Sequence, residues 1–146
     1  MRVMGIDYGD SRIGIAVSDP LGFTAQGVET INWKGSIRIP LKRISQLVNE
    51  YGIEKLVVGF PKNMNGTIGP RGEKTLDFIR LLEEEVKSVE IIKWDERLST
   101  VAANRTMREV GVKKAKKKLV VDQIAAVYIL QGYMDSQSIS KHTEKL

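Results

Sequence analysis

The chain of 146 residues contains 23 lysines and arginines against 18 acidic residues, so its formal net charge is +5 and its pI is near 9.5. That length predicts one domain with a buried core, and 42% hydrophobic and 28% charged residues are typical of a globular protein. The absence of cysteine excludes disulfides and thiolate metal sites. The single histidine, His142, lies in a polar segment, which argues against histidine-based acid–base chemistry and Ser-His triads.

Apolar runs and charge also limit where the protein works and what it contacts. The longest apolar runs are a few residues, whereas a membrane span requires ~20. Residues 1–20 lack the basic start, continuous apolar core and cleavage site of a secretory signal, so we expect a cytoplasmic protein. The excess of basic residues favours a polyanionic partner such as nucleic acid.

Three strands are predicted at the start of the chain. They cover residues 2–8, 12–18 and 24–32, and the first two are joined by the tight turn GDSR. On the second strand, apolar side chains alternate with glycine, alanine and serine. The face that carries Gly14 and Ala16 would therefore let a helix or a backbone segment approach closely.

An amphipathic helix and a buried strand are predicted next. Ser36 is the predicted cap of this helix, Pro40 suits its first turn and Gly52 ends it. The apolar run KLVVGF at 55–60 is typical of a strand in a parallel sheet that is covered on both faces. A loop rich in glycine and proline, at 61–72, leads from this strand to the next helix.

The remaining elements again alternate between helix and strand. They are a helix at about 72–87, a strand at 89–94, a helix at 99–111 and a last helix at about 119–134. The order βββαβαβαα favours a mixed five-stranded sheet with helices on both faces, because a meander is followed by strand–helix crossovers. This α/β arrangement is that of the ribonuclease H-like fold, here predicted as a single domain over 1–135 with a polar C-terminal tail at 136–146.

Carboxylates are predicted to meet at one edge of this sheet. Asp7 follows the first strand, Asp95 and Glu96 follow the last strand, and Asp122 lies on a core-like stripe of the last helix. Alanines beside Asp122 would let that helix lie close to the strand ends. Inward carboxylates without histidine or cysteine form an oxygen-only site, which suits Mg²⁺ or Mn²⁺. Two such ions can activate water and stabilise the leaving oxygen of a phosphodiester.

Each of these acids also has a structural interpretation. Asp7 could pair with Arg12, Asp95 could pair with Arg97, and Asp122 could cap a helix or pair with nearby lysines. For one acid alone, the structural and the catalytic interpretation are about equally favoured. For all three acids together, the catalytic interpretation is favoured, because three inward carboxylates by chance are less expected.

A run of five lysines precedes Asp122 directly in the sequence KKAKKK. These lysines are Lys113, Lys114, Lys116, Lys117 and Lys118. In isolation such a run is more often a solvated loop. Beside a carboxylate site it could instead hold backbone phosphates, through contacts that depend on salt and carry little sequence specificity.

The loop at 61–72 is a second candidate for substrate contact. It carries Asn63, Asn65, Thr67 and Arg71, and it is long for a crossover loop, a feature often found over active faces. It does not match the GxxxxGK[ST] phosphate loop. A plain flexible connection remains the alternative interpretation.

Four segments, in order along the chain, read DYGDSRIGIAVSD, VVGFPKNMNGTIGPR, WDERLST and KKKLVVDQIAAVYIL. Together, from Met4 to about Leu130, they resemble the YqgF family, described as Holliday-junction-resolvase-like and as nucleases of precursor 16S ribosomal RNA. The resemblance implies a cytoplasmic ribonuclease H-like nuclease that uses a divalent metal. It differs from better-known ribonuclease H-like enzymes in that KLVVGF ends without an acid, so the second carboxylate must come from the following strand.

The resemblance also assigns roles by position. Asp7, Glu96 and Asp122 correspond to the proposed catalytic and metal-binding acids, with Asp95 as an alternative ligand. Arg12 and the loop at 61–71 fall in the other recurrent motifs. The candidate substrate-binding residues are therefore Arg12, Asn63, Asn65, Arg71, Arg97 and the five lysines of 113–118.

The implied substrate is structured RNA, namely the 5′ end of precursor 16S ribosomal RNA, and the pre-30S ribosomal particle is a further candidate partner. Branched DNA is the alternative substrate, and a two-fold symmetric junction would require a dimer. The first hairpin is also similar to the phosphate-binding hairpin of actin-like and sugar-kinase ATPases, although 146 residues hold only one of the two lobes. A non-catalytic RNA-binding assembly factor is the last alternative.

Overall fold

The computed structural model describes residues 2–96 and 115–145, and within the last helix it describes the side chains of 122–137. The elements are β1 Arg2–Asp7, β2 Arg12–Ser18, β3 Ala25–Asn32, α1 Arg38–Tyr51, β4 Ile53–Phe60, α2 Pro70–Glu85, β5 Glu90–Asp95 and α3 Ala115–Lys145. The five predicted strands and the helices at 36–52, 72–87 and 119–134 are confirmed, with shifted ends. The helix predicted at 99–111 lies outside the described residues, as do Arg97, Lys113 and Lys114.

The five strands form one mixed sheet in the order β3-β2-β1-β4-β5. β2 is antiparallel to both β1 and β3, whereas β4 is parallel to both β1 and β5. The carboxyl ends of β1, β4 and β5 therefore meet at one edge of the sheet, where ligands commonly bind in open α/β folds.

Helices cover both faces of the sheet, as the sequence predicts. On one face, Met4, Ile6 and Ile15 pack with Leu47 of α1 and Phe78 of α2 in the larger buried cluster. The opposite face packs against α3 in a second cluster, whose members are Val3, Ala16, Val57, Ala125, Ala126, Ile129, Leu130, Tyr133 and Met134. Because β1 alternates, Val3 faces α3 while Met4 faces the other two helices.

Both ends of α1 follow from local chemistry. Gly52 ends the helix as predicted, because its φ of 63° is left-handed and its N–H donates to the carbonyl of Val48. The predicted start is displaced by one residue. Ile37 is the N-cap, and the preceding Ser36 accepts a hydrogen bond from the Arg38 N–H at 3.2 Å through its hydroxyl.

The last helix is longer at both ends than the sequence predicts. It spans Ala115–Lys145, so residues 115–118 of the basic run are helical and not a loop, and residues 136–145 continue the helix. The prediction ended where the apolar pattern ended, but residues 133–145 contain neither glycine nor proline to interrupt backbone hydrogen bonding. No helix within the described ranges is long and apolar enough to cross a membrane.

Candidate active site

Asp7 and Asp122 line one small pocket at the carboxyl edge of the sheet. Asp7 is the last residue of β1 and is 5% exposed, while Asp122 on α3 is 9% exposed. The pocket has a volume of about 210 Å³ and is also lined by Tyr8, Gly9, Asp10, Ser11, Arg12 and Arg71. A larger cavity of about 350 Å³ lies at the opposite end of β1, near Arg2 and Asp19, and contains none of the candidate acids.

A glycine on β2 brings the two aspartates together. Asp7 pairs with Gly14 across the β1–β2 ladder. A Cβ added to Gly14 would overlap the main-chain carbonyl of Asp122, so the missing side chain lets the α3 backbone lie directly on β2 beside Asp7. Gly5 allows the same approach further along, since its Cβ would lie 2.8 Å from the Ala126 carbonyl oxygen. The expectation that the small-residue face admits a helix is thus confirmed.

We expect Gly14→Ala to destabilise the protein strongly, because its Cβ would meet helix backbone that cannot turn aside. The free energy of unfolding in urea should fall by about 3 kcal/mol or more. Gly27→Ala on β3 is the matched control. Its Cβ would lie 3.0 Å from Oε1 and 3.1 Å from Cβ of Gln123, with no helix backbone among its nearest atoms, so its effect should be clearly smaller than that of Gly14→Ala. Equal losses in both variants would contradict this account of how α3 packs.

Arg12 neutralises part of the charge of this pair. Its Nε lies 2.7 Å from Oδ2 of Asp122, and both atoms are buried. The Nε–H is poorly aligned for a hydrogen bond, so the guanidinium and the carboxylate interact mainly through their opposite charges. The sequence suggests Arg12 as a partner of Asp7, and the structure pairs Arg12 with Asp122. A buried carboxylate needs such compensation.

The turn between β1 and β2 is held from two sides. Trp33 donates hydrogen bonds to the carbonyl of Gly9 from its indole, at 3.3 Å, and to that of Ser11 from its backbone, at 3.0 Å. On the other side, Lys74 of α2 pairs with Asp10 at 3.3 Å. These contacts fix the backbone between Asp7 and Arg12, so the two side chains approach the pocket from a defined turn. Trp33 is accordingly part of the scaffold of this turn.

Tyr8 forms another wall of the pocket. Its ring stacks on Phe78 of α2, with centroids 4.4 Å apart. Burial, followed by the negative charges of Asp10 and Asp77, raises the pKa of Tyr8 above its usual value of 10. The hydroxyl therefore stays protonated at neutral pH, and it can donate a hydrogen bond but cannot act as an anionic base.

Alternation along β5 places Glu96 on the α3 side of the sheet. Ile92 and Trp94 pack with the α3 cluster, whereas Ile91 packs with the cluster of α1 and α2. Continued alternation gives Glu96 the same face as Trp94 and gives Asp95 the opposite face. Asp7 shares the face of Val3, which is also the α3 face. Glu96, and not Asp95, therefore lies on the side of Asp7 and Asp122, and it is 8% exposed.

Glu96 reaches towards β1 over the end of β4. β4 lies between β1 and β5, and Gly59 near its end pairs with Trp94 of β5. A Cβ built on Gly59 would lie 2.7 Å from Oε1 of Glu96. The carboxylate of Glu96 thus lies above the strand that separates it from Asp7.

The three acids do not form a closed ligand cage. Among the described side chains, those of 2–96 and 122–137, no three acidic or histidine residues approach closely enough to hold a metal ion between them. The three acids nevertheless offer only oxygen ligands, and they are buried at the same edge and on the same face of the sheet. Such ligands fit a hard divalent cation. Shared binding of one ion by Asp7, Glu96 and Asp122 would require their carboxylates to lie closer together than they do here.

Sequence similarity places the chain in one family. A sequence model described as "RuvX: Holliday junction resolvase" matches residues 1–136. The chain belongs to the RuvX family. A relative from Acetivibrio thermocellus named "Putative pre-16S rRNA nuclease" is 72% identical over 137 residues, which cover 94% of this chain and 97% of that protein. A relative of the same name from Ruminiclostridium cellulolyticum is 56% identical over 135 residues, covering 92% and 94%.

Solved structures show the fold of this RuvX chain. RuvC of T. thermophilus in complex with a Holliday junction substrate matches with a TM-score of 0.58 at 15% identity, covering 94% of this chain and 96% of that one. The fowlpox virus Holliday junction resolvase matches with a TM-score of 0.50 at 14% identity, covering 93% and 99%. The predicted ribonuclease H-like fold is therefore confirmed, and the family to which the chain belongs is one of nucleases.

Four of the predicted substrate-binding residues have described side chains, and these four fall into two groups. Arg12 and Arg71 line the pocket with Asp7. Asn63 and Asn65 instead fold their own loop, in which the Asn63 amide donates to the Thr67 hydroxyl at 2.9 Å and the Thr67 N–H donates to Asn65 Oδ1 at 3.1 Å. Substrate contact by Asn63 and Asn65 stays a prediction.

The lysines of the basic run stay predictions as well. Lys113 and Lys114 lie outside the described residues, and for Lys116, Lys117 and Lys118 only the helical backbone is described. Sequence reasoning missed the parts played by Tyr8 and Gly59. A glycine within the buried apolar strand KLVVGF was a usable signal for Gly59, because such a glycine often marks a close approach.

Proposed function

We propose that this chain is a divalent-metal-dependent nuclease that cleaves precursor 16S ribosomal RNA during ribosome assembly in the cytoplasm. The observation that carries the proposal is the burial of Asp7, Glu96 and Asp122 on one face of one sheet edge, beside Arg12 and Arg71. Membership of the RuvX family supports the nuclease activity. The name of the 72% identical relative supports the RNA substrate.

The bound metal, Mg²⁺ or Mn²⁺, would supply a nucleophilic water and charge stabilisation for the leaving oxygen. Asp7, Glu96 and Asp122 are the residues that would hold it, with Asp95 as the less favoured alternative. Their burial removes competing water from the acids and strengthens their attraction for a cation. Arg12 holds Asp122 through the 2.7 Å ion pair.

Two cationic side chains would position the substrate. Arg71 lines the pocket and lies in the first turn of α2, where its guanidinium can contact a phosphate of the RNA backbone in a bidentate manner. Arg12 neutralises Asp122 and so reduces repulsion between this acid and an incoming phosphate. Tyr8, which remains protonated, can donate a hydrogen bond to the same phosphate group.

The proposal is tested by incubating the purified protein with precursor 16S RNA and with a four-way DNA junction, each with and without a chelator. We expect cleavage of the RNA that stops on chelation and returns with added Mg²⁺ or Mn²⁺. Cleavage unaffected by chelation would refute metal dependence, and RNA binding without cleavage would indicate an assembly factor. Binding to pre-30S particles is measured by co-sedimentation.

A junction resolvase is the second candidate function. The family is described as one of Holliday junction resolvases, and the fold is similar to that of RuvC bound to a junction. A two-fold symmetric junction presents two scissile sites, so this function requires a dimer. Selective cleavage of the DNA junction by a stable dimer in solution would favour it over the RNA substrate.

The Arg12–Asp122 ion pair leads to a prediction about stability. Arg12→Gln should lower the free energy of unfolding by about 1–2 kcal/mol in metal-free buffer, because it leaves a buried charge with less compensation. The expected loss is moderate because the side chain of Arg12 is 33% exposed. Saturating Mg²⁺ should restore part of the loss, since a bound cation supplies positive charge near Asp122. Urea unfolding with and without Mg²⁺ measures both effects.

Arg80→Gln is the matched control for that variant. Arg80 pairs with Asp77 at 2.8 Å on the exposed side of α2, where both side chains are 69% exposed. Its loss should be below about 0.5 kcal/mol and insensitive to Mg²⁺. A loss from Arg12→Gln no greater than that of the control would show that the buried pair contributes little.

The basic run is predicted to hold backbone phosphates. Replacement of the lysines of 113–118 by glutamine should weaken binding to unrelated RNA sequences about equally. The slope of log affinity against log salt should flatten by about 0.7 for each phosphate of single-stranded RNA that a lysine no longer neutralises. Binding is measured by fluorescence anisotropy at several salt concentrations. An unchanged slope would leave these lysines as a solvated surface.

A further inference from the structure

Gly59 lies on the strand between β1, which ends with Asp7, and β5, which Glu96 directly follows. Ile6 pairs with Val58 in the parallel β1–β4 ladder, so the next residue, Asp7, lies level with Gly59. On its other side Gly59 pairs with Trp94 of β5, two residues before Glu96. A side chain at residue 59 would therefore stand between the two acids.

The backbone of Gly59 does not itself require glycine. The glycines with positive φ in the described residues are Gly22, Gly35, Gly52 and Gly66. The restriction at Gly59 is steric, because an added Cβ would lie 2.7 Å from Oε1 of Glu96 and would overlap Cδ1 of Ile129. A real Cβ does not approach other heavy atoms within 3.0 Å. The carboxylate of Glu96 thus fills volume that any side chain at residue 59 would need.

Gly59 also differs from the glycines that admit α3. Gly5 and Gly14 face the main chain of that helix, at Ala126 and Asp122, and helix backbone cannot turn aside. The three atoms nearest to a Cβ at residue 59 are instead side-chain atoms, namely Cδ1 and Cγ1 of Ile129 and Oε1 of Glu96, which does not belong to the helix. Helix packing alone therefore accounts for Gly5 and Gly14 but not fully for Gly59.

We propose that Gly59 is a positioning residue, whose missing side chain is the space that receives the carboxylate of Glu96. The acid that directly follows β5 can thereby reach across β4 and face Asp7, although β4 itself ends without an acid. This inference rests on the proposed function in so far as Glu96 binds the metal. The position of the carboxylate, however, can be tested without metal.

The metal-free test uses the Ile129→Val protein, in which the atom that would overlap a Cβ at residue 59 is absent. Gly59→Ala in that background should lower Tm by several degrees. The loss should persist when Glu96→Gln is added, because glutamine fills the same volume. It should largely vanish when Glu96→Ala is added, because the side chain that meets the new Cβ is gone. Equal losses in all three backgrounds would overturn the proposal.

The second measurement is Mn²⁺ affinity by titration calorimetry. Gly59→Ala with Ile129→Val should bind Mn²⁺ about tenfold more weakly than Ile129→Val alone, as is typical when a ligand loses its support. Glu96→Ala should abolish most Mn²⁺ binding. The double variant Glu96→Ala with Gly59→Asp should recover part of the Mn²⁺ affinity, because the new carboxylate at residue 59 would lie near the position vacated by Glu96. Unchanged affinity in the first comparison would overturn the role of Gly59 in metal binding.

The two measurements separate the inference from the proposed function. If the Tm losses follow the predicted order but the parent protein binds no Mn²⁺, Gly59 still receives the Glu96 carboxylate and the metal-dependent function is refuted. If the parent binds Mn²⁺ and cleaves RNA while the Tm losses are equal, the function stands and the placement of Glu96 over Gly59 is refuted.

Discussion

Asp7→Asn is expected to abolish cleavage while the protein remains folded. Asparagine is nearly isosteric with aspartate but lacks the charge that holds a divalent cation, and loss of that interaction removes several kcal/mol of transition-state stabilisation. The expected decrease in kcat is roughly a thousandfold or more. Tm in metal-free buffer should be unchanged or higher, because the substitution relieves repulsion with Asp122 in the same pocket.

Cleavage of precursor 16S RNA and thermal unfolding of the same preparation measure these two effects. Asp77→Asn serves as the control, since Asp77 lies on the exposed side of α2 and should leave both quantities nearly unchanged. A substantial fall in Tm for Asp7→Asn would show that Asp7 is a structural partner and not a metal ligand.

Glu96→Gln is expected to remove nearly all cleavage, whereas Asp95→Asn should keep a measurable fraction. Glu96 is buried and shares the α3 face with Asp7 and Asp122, while alternation turns Asp95 to the opposite face. The extra methylene of glutamate also suits the distance across β4. Asp95→Asn should mainly lower the free energy of unfolding, because its carboxylate lies nearer the α1 and α2 side.

Single-turnover cleavage and urea unfolding of both variants decide between the two acids. If Asp95→Asn lost the activity and Glu96→Gln kept it, with both proteins folded, the assignment of Glu96 would be falsified. Equal losses would indicate that the two acids share the metal.

The sequence predicted the strands and most of the helices well, because burial imposes periodicity. The alternation of Ile13, Ile15 and Val17 and the helical spacing of Leu41, Ile44 and Leu47 reflect faces that are buried in the folded protein. It was less successful at the ends of α3. An apolar pattern reports where a helix is packed. Among the described side chains of α3 the buried cluster ends at Met134, whereas the helix itself continues to Lys145.

The candidate site was predicted in part. Carboxylates at strand ends and on a buried helix stripe could be recognised from Asp7 and Asp122, and both line the pocket. The partner of Arg12 and the internal hydrogen bonds of Asn63 and Asn65 could not be predicted. Such contacts depend on rotamers and on loop geometry, which no periodicity encodes.

The sequence by itself therefore determined the order of the elements, the family and the acids that could act, because these follow from local pattern and motif. Only the tertiary structure decided which acid of the Asp95–Glu96 pair faces Asp7. Alternation of side chains along the strand is compatible with either acid on the α3 face, and the packing of Trp94 against α3 shows that this acid is Glu96. It also decided how closely the acids approach one another. That distance depends on Gly14 and Gly59, whose missing side chains leave space for Asp122 and Glu96 only when strands and helix are stacked.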